Sequence, residues 1–119
     1  MRGISRLILT LGTTLVLIGG VAVAPQVGAS SVEEGKQLVL SRKLGNCMAC
    51  HAFEGTSLAG NIAPPLVAMK SRFPDREVLR AQIYDSTQKN PQSMMPPFGA
   101  HAILSDADIE KIIDFLYTL

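Results

Sequence analysis

The chain has 119 residues, of which 47% are hydrophobic, and its formal net charge is +1. This length suits a single domain, and the near-neutral charge excludes the strongly basic surface that nucleic-acid binding requires. With two cysteines, no tryptophan and few other aromatic residues, the chain forms a small core, which proteins of this size usually supplement with disulfides, a metal or a cofactor.

The first 29 residues have the layout of a secretory signal. Arg2 and Arg6 precede an uncharged run from Leu7 to Ala29, which ends in small residues. An uncharged run of this length could also remain as a membrane anchor, but glycines and a proline interrupt it. We therefore predict cleavage after residue 29, a mature domain of residues 30–119 in the periplasm, and no membrane association after cleavage.

The segment SSVEEGKQLVLSRKLGN predicts a first helix. Ser31 and Glu34 have the spacing of a capping box, leucines form an apolar stripe, and Gly45-Asn46 is a suitable end. The next segment, residues 52–74, is rich in glycine and proline. It predicts an ordered loop with at most one short turn of helix.

Two further helices follow the loop. In FPDREVLRAQIYDS, Asp75 is the expected N-cap, and one face is predicted to carry Val78, Leu79 and Ile83. Three prolines in residues 87–102 exclude a helix or a central strand there. In LSDADIEKIIDFLYTL, Ser105 and Asp108 form a second capping-box pattern before isoleucines and a leucine at helical spacing: Ile109, Ile112, Ile113 and Leu116.

The element pattern predicts an all-α domain of about three main helices joined by long loops. Loops of this length are unusual in a small compact domain unless they enclose something. The sequence GNCMACHAFEG, residues 45–55, contains both cysteines and indicates what the loops enclose.

Four kinds of site could use Cys47, Cys50 and His51. A disulfide would close too short a loop to stabilise the fold much, and a thioredoxin-like dithiol requires a strand before the motif. A zinc site could add only His101, and adjacent Cys50 and His51 cannot both face one small tetrahedral ion comfortably. The C-x-x-C-H spacing instead favours one covalently attached haem c, whose iron His51 would bind from the proximal side.

The distal ligand of the iron has several candidates. Met95 is preferred, because Pro96-Pro97 stiffens the loop that would hold its thioether, while Met94 and His101 remain alternatives. Met69 is interpreted as a core residue. The proximal imidazole also needs an acceptor for its second N–H. The backbone carbonyl of Pro64 could provide it, although Pro64-Pro65 could equally serve only to turn the chain.

CMACH, APPL and MPPFG, followed by the capped last helix, resemble class I cytochromes c along the whole mature chain. In that family the first and last helices cross at a glycine and an aromatic residue, which correspond to Gly35 and Phe115. The resemblance also implies that the Pro64 carbonyl holds the proximal histidine and that Met95 is the distal ligand.

The segments GNIAPPL and NPQSMMPPFGAHAILSDADIEKIIDFLYTL are further similar to the SoxX family of monohaem cytochromes. That similarity implies a heterodimer with a SoxA-type cytochrome subunit, in a complex that oxidatively joins thiosulfate to a cysteine of the SoxYZ carrier. Electrons would leave to a cytochrome acceptor. If both cysteines form thioethers and both axial positions of the iron are filled, this chain has no group left to bind substrate. It would then act as an electron relay. A freestanding periplasmic electron carrier is the alternative.

Overall fold

The computed structural model describes residues 27–57 and 59–119. Four α-helices and two short 3₁₀ helices form this part of the chain, and it contains no strand. The α-helices are α1 (Val27–Leu40), α2 (Met69–Arg72), α3 (Arg76–Tyr84) and α4 (Asp106–Leu116), and the 3₁₀ helices are Cys47–Ala49 and Ser86–Gln88. The predicted all-α class, with three main helices and long loops, is confirmed.

The first and last helices cross at Gly35. A Cβ atom on this residue would lie 1.9 Å from the carbonyl oxygen of Lys111, so only glycine allows the two backbones to approach this closely. Beside the crossing, Lys111 forms an ion pair of 2.6 Å with Glu34. This pair lowers the pKa of the Glu34 carboxyl and raises the pKa of the Lys111 ammonium. Phe115 is buried one turn further along α4.

The hydrophobic core lies between α1, α3, α4 and the loops. Helix α4 contributes most to this core, because its predicted apolar face is fully buried. Its predicted capping box is also present: Ser105 and Asp108 each accept a hydrogen bond from the other's backbone N–H group. The buried hydrophobic residues are Val39, Leu66, Met69, Leu79, Ile83, Phe98, Leu104, Ile109, Ile112, Ile113, Phe115 and Leu116.

Helix α3 packs on α4 through both apolar and charged groups. Asp75 caps α3 as predicted, since its carboxylate accepts the Glu77 N–H. On the outer side, Arg76 and Arg80 both bind Glu110 of α4, at 2.8 and 3.1 Å. The prediction that Val78 shares the buried face of α3 is wrong: Val78 is 38% exposed, whereas Leu79 and Ile83 are buried, because only one face of this helix packs against the core.

The predicted bounds of the first helix are also corrected. The helix begins at Val27, so Ser31 lies inside it rather than at its N-cap, and Ser30 instead donates to Glu34 at 2.9 Å. It ends at Leu40, where the chain turns so that the Gly45 N–H binds the Leu38 carbonyl. This early end brings the cysteine segment back against the core.

Two short helical elements lie on either side of α3. The predicted short turn of helix in the glycine- and proline-rich loop corresponds to α2, whereas the 3₁₀ helix Ser86–Gln88 was not predicted.

The predicted leader of residues 1–29 lies outside the described residues, apart from the backbone of its last three, which begins α1. Within residues 27–57 and 59–119, no helix has the length and apolar character needed to span a membrane.

We predict that Gly35→Ala destabilises the protein by about 1–3 kcal/mol, because the new methyl group forces the backbones of α1 and α4 apart. Helix propensity alone would instead predict that the substitution stabilises the protein, since alanine is more favourable than glycine in a helix by about 1 kcal/mol. Thermal unfolding measures the difference. Lys36→Ala, at the next and exposed position, is the control and should change stability by less than about 0.5 kcal/mol. Equal stability of both variants would contradict the close crossing.

Candidate haem site

The C-x-x-C-H residues form one tight helical turn. The N–H groups of Cys50 and His51 both bind the carbonyl oxygen of Cys47, at 3.2 and 2.9 Å. Residues three and four apart on such a turn point to the same side. The turn therefore directs both thiols and the imidazole toward one region of the molecule.

The loop of residues 60–66 lies directly on this turn. Its backbone N–H groups at Gly60, Ala63 and Leu66 bind carbonyl oxygens of residues 48, 50 and 52, at 2.8, 3.1 and 2.7 Å. A Cβ atom at position 60 would lie 2.3 Å from the Ala49 carbonyl oxygen, so a glycine is needed for this contact. The pairing fixes the position of the two prolines that follow.

One consequence is a hydrogen bond between His51 and Pro64. The distance from His51 Nδ1 to the Pro64 carbonyl oxygen is 2.7 Å. A carbonyl oxygen can only accept, so Nδ1 carries the hydrogen and the lone pair of Nε2 is free to bind a metal. The structure thus brings together the two residues that the sequence paired for this purpose.

A mainly apolar cleft opens beside the turn. It has a volume of about 470 Å³, with an adjoining recess of about 370 Å³, and Cys47, His51 and Met95 line both. This size is within the range of cofactor sites. Cys50 lines the recess, and the Pro64 loop borders the larger space. Burial raises the pKa of the Cys47 thiol to about 11.

The candidate distal ligands lie in different surroundings. Both Met94 and Met95 line the cleft, but Met95 is half-buried and packs against the core, whereas Met94 is 84% exposed. His101 is exposed and is absent from the described lining of the cleft. Met69 is a buried core residue, as expected.

Arg72 is a cleft residue that the sequence analysis missed. Its Nη1 donates to the Pro65 carbonyl oxygen at 2.8 Å, so it braces the loop that carries the acceptor for His51. It also lines the 470 Å³ cleft. No local spacing rule identifies it, because its partner, the Pro65 carbonyl, lies seven residues earlier in the loop.

The site fits a covalently attached haem better than the other three sites. Cys47 and Cys50 are free thiols rather than a disulfide, and no strand precedes them in the described part of the chain. In residues 27–57 and 59–119, no group of three or more His, Cys, Asp or Glu side chains could hold a metal such as zinc. An apolar cleft with two thiols and an oriented imidazole provides the attachment groups and the proximal ligand of haem c, and a thioether in its lining is compatible with Met/His ligation.

Comparison with known proteins gives the same result. Residues 30–116 match the family model for cytochrome c oxidase, cbb3-type, subunit III. The chain belongs to this family. It is a c-type cytochrome domain with covalently bound haem c and a role in electron transfer, and the C-x-x-C-H residues are compatible with that cofactor.

The cytochrome is also similar to two particular proteins. Its fold matches the crystal structure of SoxXA from P. pantotrophus with a TM-score of 0.62 and 28% identity, over 72% of this chain and 79% of that one. This match supports a SoxX-like monohaem cytochrome. An uncharacterized lipoprotein of Aquifex aeolicus (strain VF5) is 34% identical over 76 residues, which are 63% of this chain and 37% of the lipoprotein.

We predict that Cys50→Ala leaves haem attached through one thioether. One vinyl group then stays conjugated with the porphyrin, so the pyridine haemochrome band shifts to longer wavelength than in the wild type. Met48→Ala, between the two cysteines, is the control and keeps the wild-type spectrum. A wild-type spectrum in Cys50→Ala would exclude this cysteine from attachment.

Proposed function

We propose that this cytochrome is the electron-transfer subunit of a periplasmic SoxAX-type complex. Such a complex oxidatively conjugates thiosulfate to a cysteine of the SoxYZ carrier, and the cytochrome would pair with a SoxA-type subunit. The similarity to SoxXA is the observation that carries this proposal. The leader would direct export and be cleaved after Ala29, and an intact mass equal to residues 30–119 plus one haem would establish both points.

His51 and Met95 are the proposed iron ligands. The hydrogen bond from His51 Nδ1 to the Pro64 carbonyl oxygen supports His51, because it leaves Nε2 available. Both residues line the same cleft, and only the second methionine of the Met94-Met95 pair is half-buried against the core. Thioether opposite imidazole raises the reduction potential of haem iron.

This ligand set would limit what the chain itself can do. When both cysteines are thioethers, no thiol remains to attack or carry sulfur, because the sequence has only two. When both axial positions are filled, no position remains for substrate on the iron. The chain would then bind no substrate, and the sulfur chemistry would belong to the partner, from which this subunit receives electrons.

Exposed apolar residues at the mouth of the cleft support a stable partner interface. Leu44, Ile62, Met94 and Ile103 are all between 38% and 84% exposed, and all line the recess beside the C-x-x-C-H turn. Among the Asp, Glu, Lys and Arg residues of the described part of the chain, only Arg42 lines that recess. An apolar mouth suits a lasting contact, whereas transient encounters rely more on charge.

We predict that Met95→Ala removes the absorption band of thioether bound to ferric haem and lowers the reduction potential. The reason is that a weaker ligand, such as water, replaces sulfur at the iron. Spectroscopy and a redox titration measure both effects. Met94→Ala is the matched control and keeps the wild-type values. If Met94→Ala alone changed the spectrum, the ligand assignment would pass to Met94.

We also predict that Ile62→Lys prevents co-purification with a co-expressed SoxA-type subunit, since a charge at an apolar interface pays a desolvation cost. Its pyridine haemochrome spectrum, which reports covalent attachment, should stay that of the wild type. Val78→Lys, an exposed apolar residue of α3 that is absent from the cleft lining, is the control and retains the partner. If the wild-type cytochrome itself never co-purifies with such a subunit, a freestanding electron carrier becomes the better description.

A further inference from the structure

Ser86 is a buried hydroxyl side by side with the backbone of Met95. It is only 1% exposed, and no other polar or charged residue in the described part of the chain is buried. Its Oγ lies 2.9 Å from the Met95 carbonyl oxygen and 2.8 Å from the Oγ of Ser93. A second contact joins Ser93 to the same methionine, because the Met95 N–H donates to Ser93 Oγ at 3.2 Å.

The chemistry of the groups fixes the direction of these bonds. The Met95 carbonyl can only accept, so the single hydrogen of Ser86 points to it. Ser93 must then donate to Ser86 Oγ, and its own oxygen accepts the Met95 N–H. The result is a closed ring of three hydrogen bonds that satisfies both backbone polar groups of Met95.

Local turns hold the two serines in place. The Asp85 carboxylate accepts the Thr87 N–H and starts the 3₁₀ helix Ser86–Gln88. The Asn90 N–H then binds the Ser86 carbonyl at 3.1 Å, and the Ser93 N–H binds the Asn90 carbonyl at 2.8 Å. These turns return Ser93 to the side of Ser86.

The backbone after Met95 cannot supply these bonds. Pro96 and Pro97 have no N–H group. Further along the chain, the backbone N–H groups of Gly99 and Ala100 both bind the Tyr84 carbonyl, at 3.1 and 3.2 Å. Between these anchors, the two serine hydroxyls are the partners that hold the methionine backbone.

We propose that Ser86 and Ser93, here called the serine pair, are positioning residues that hold the Met95 thioether at the iron. This inference rests on the proposed role of Met95 as distal ligand. The serine pair would act through the Met95 backbone and not as iron ligands. It reduces the freedom of the Met95 backbone, so that an added ligand competes for the iron less well than it would against a loose loop.

The test is a titration of the ferric, haem-loaded protein with free imidazole. The loss of the iron–thioether absorption band monitors binding. We expect Ser86→Ala and Ser93→Ala each to raise the apparent affinity for imidazole about threefold to tenfold, the size of one net hydrogen bond. Ser93→Thr keeps the hydroxyl and should return to the wild-type affinity. Ser93 is half-buried, so its variants test the proposal even if Ser86→Ala fails to fold.

Ser105→Ala separates positioning from general stability. It removes the N-cap of α4 and lowers global stability, yet it should leave imidazole affinity unchanged. Amide hydrogen exchange in the ferrous protein gives a second measurement: the Met95 N–H should exchange faster in Ser93→Ala, which removes its acceptor, than in Ser105→Ala.

The outcomes distinguish this inference from the function on which it rests. Wild-type imidazole affinity in both alanine variants, together with an altered Met95→Ala spectrum, would overturn the serine pair alone. An unaltered Met95→Ala spectrum would overturn the ligand assignment and the serine pair together. An equal increase in affinity in Ser105→Ala would reduce the effect to global stability and also overturn the proposal.

Discussion

The hydrogen bond between His51 and the Pro64 carbonyl is the interaction on which the site depends. It selects which imidazole nitrogen carries hydrogen, and it exists only because the loop of residues 60–66 is paired along the C-x-x-C-H turn. That pairing requires Gly60 against the Ala49 carbonyl, and Arg72 braces the next carbonyl of the loop. The orientation of the imidazole is therefore a property of the fold around the turn and is not set by the motif alone.

The helices frame this arrangement with two different kinds of contact. At Gly35, α1 and α4 meet through backbone, with no side chain between them. Helix α3 instead joins α4 through buried Leu79 and Ile83 and through arginine–carboxylate pairs at the surface. These ion pairs are partly exposed to solvent, which weakens them, so the apolar contacts contribute most to holding α3 in place. The loops then have a firm frame from which to enclose the cleft.

The sequence predicted those features that depend on residues close together in the chain. The capping box of Ser105 and Asp108, the Asp75 cap and the C-x-x-C-H motif are local patterns, and each corresponds to a described element. The start of α1 was predicted wrongly, because a capping-box spacing also occurs inside a helix that simply continues.

Other features depend on contacts between distant segments, and no local pattern reveals them. Val78 is exposed because of where α4 lies, and Arg72 reaches the proline loop only after α2 forms. Ser86 looks like an ordinary turn residue in the sequence. Its burial depends on how the segment returns at Ser93. The doubled methionine was likewise ambiguous, whereas the folded chain gives its two members very different exposures.

The attachment of Gly99 and Ala100 to the Tyr84 carbonyl has an evolutionary consequence. It closes residues 84–100 into a loop whose two ends meet at the end of α3. Substitutions within this loop can alter the Met95 side of the cleft without displacing α1 or α4. Relatives with the same helical frame can therefore differ in the lining of the cleft through this segment alone, with little change in the helices around it.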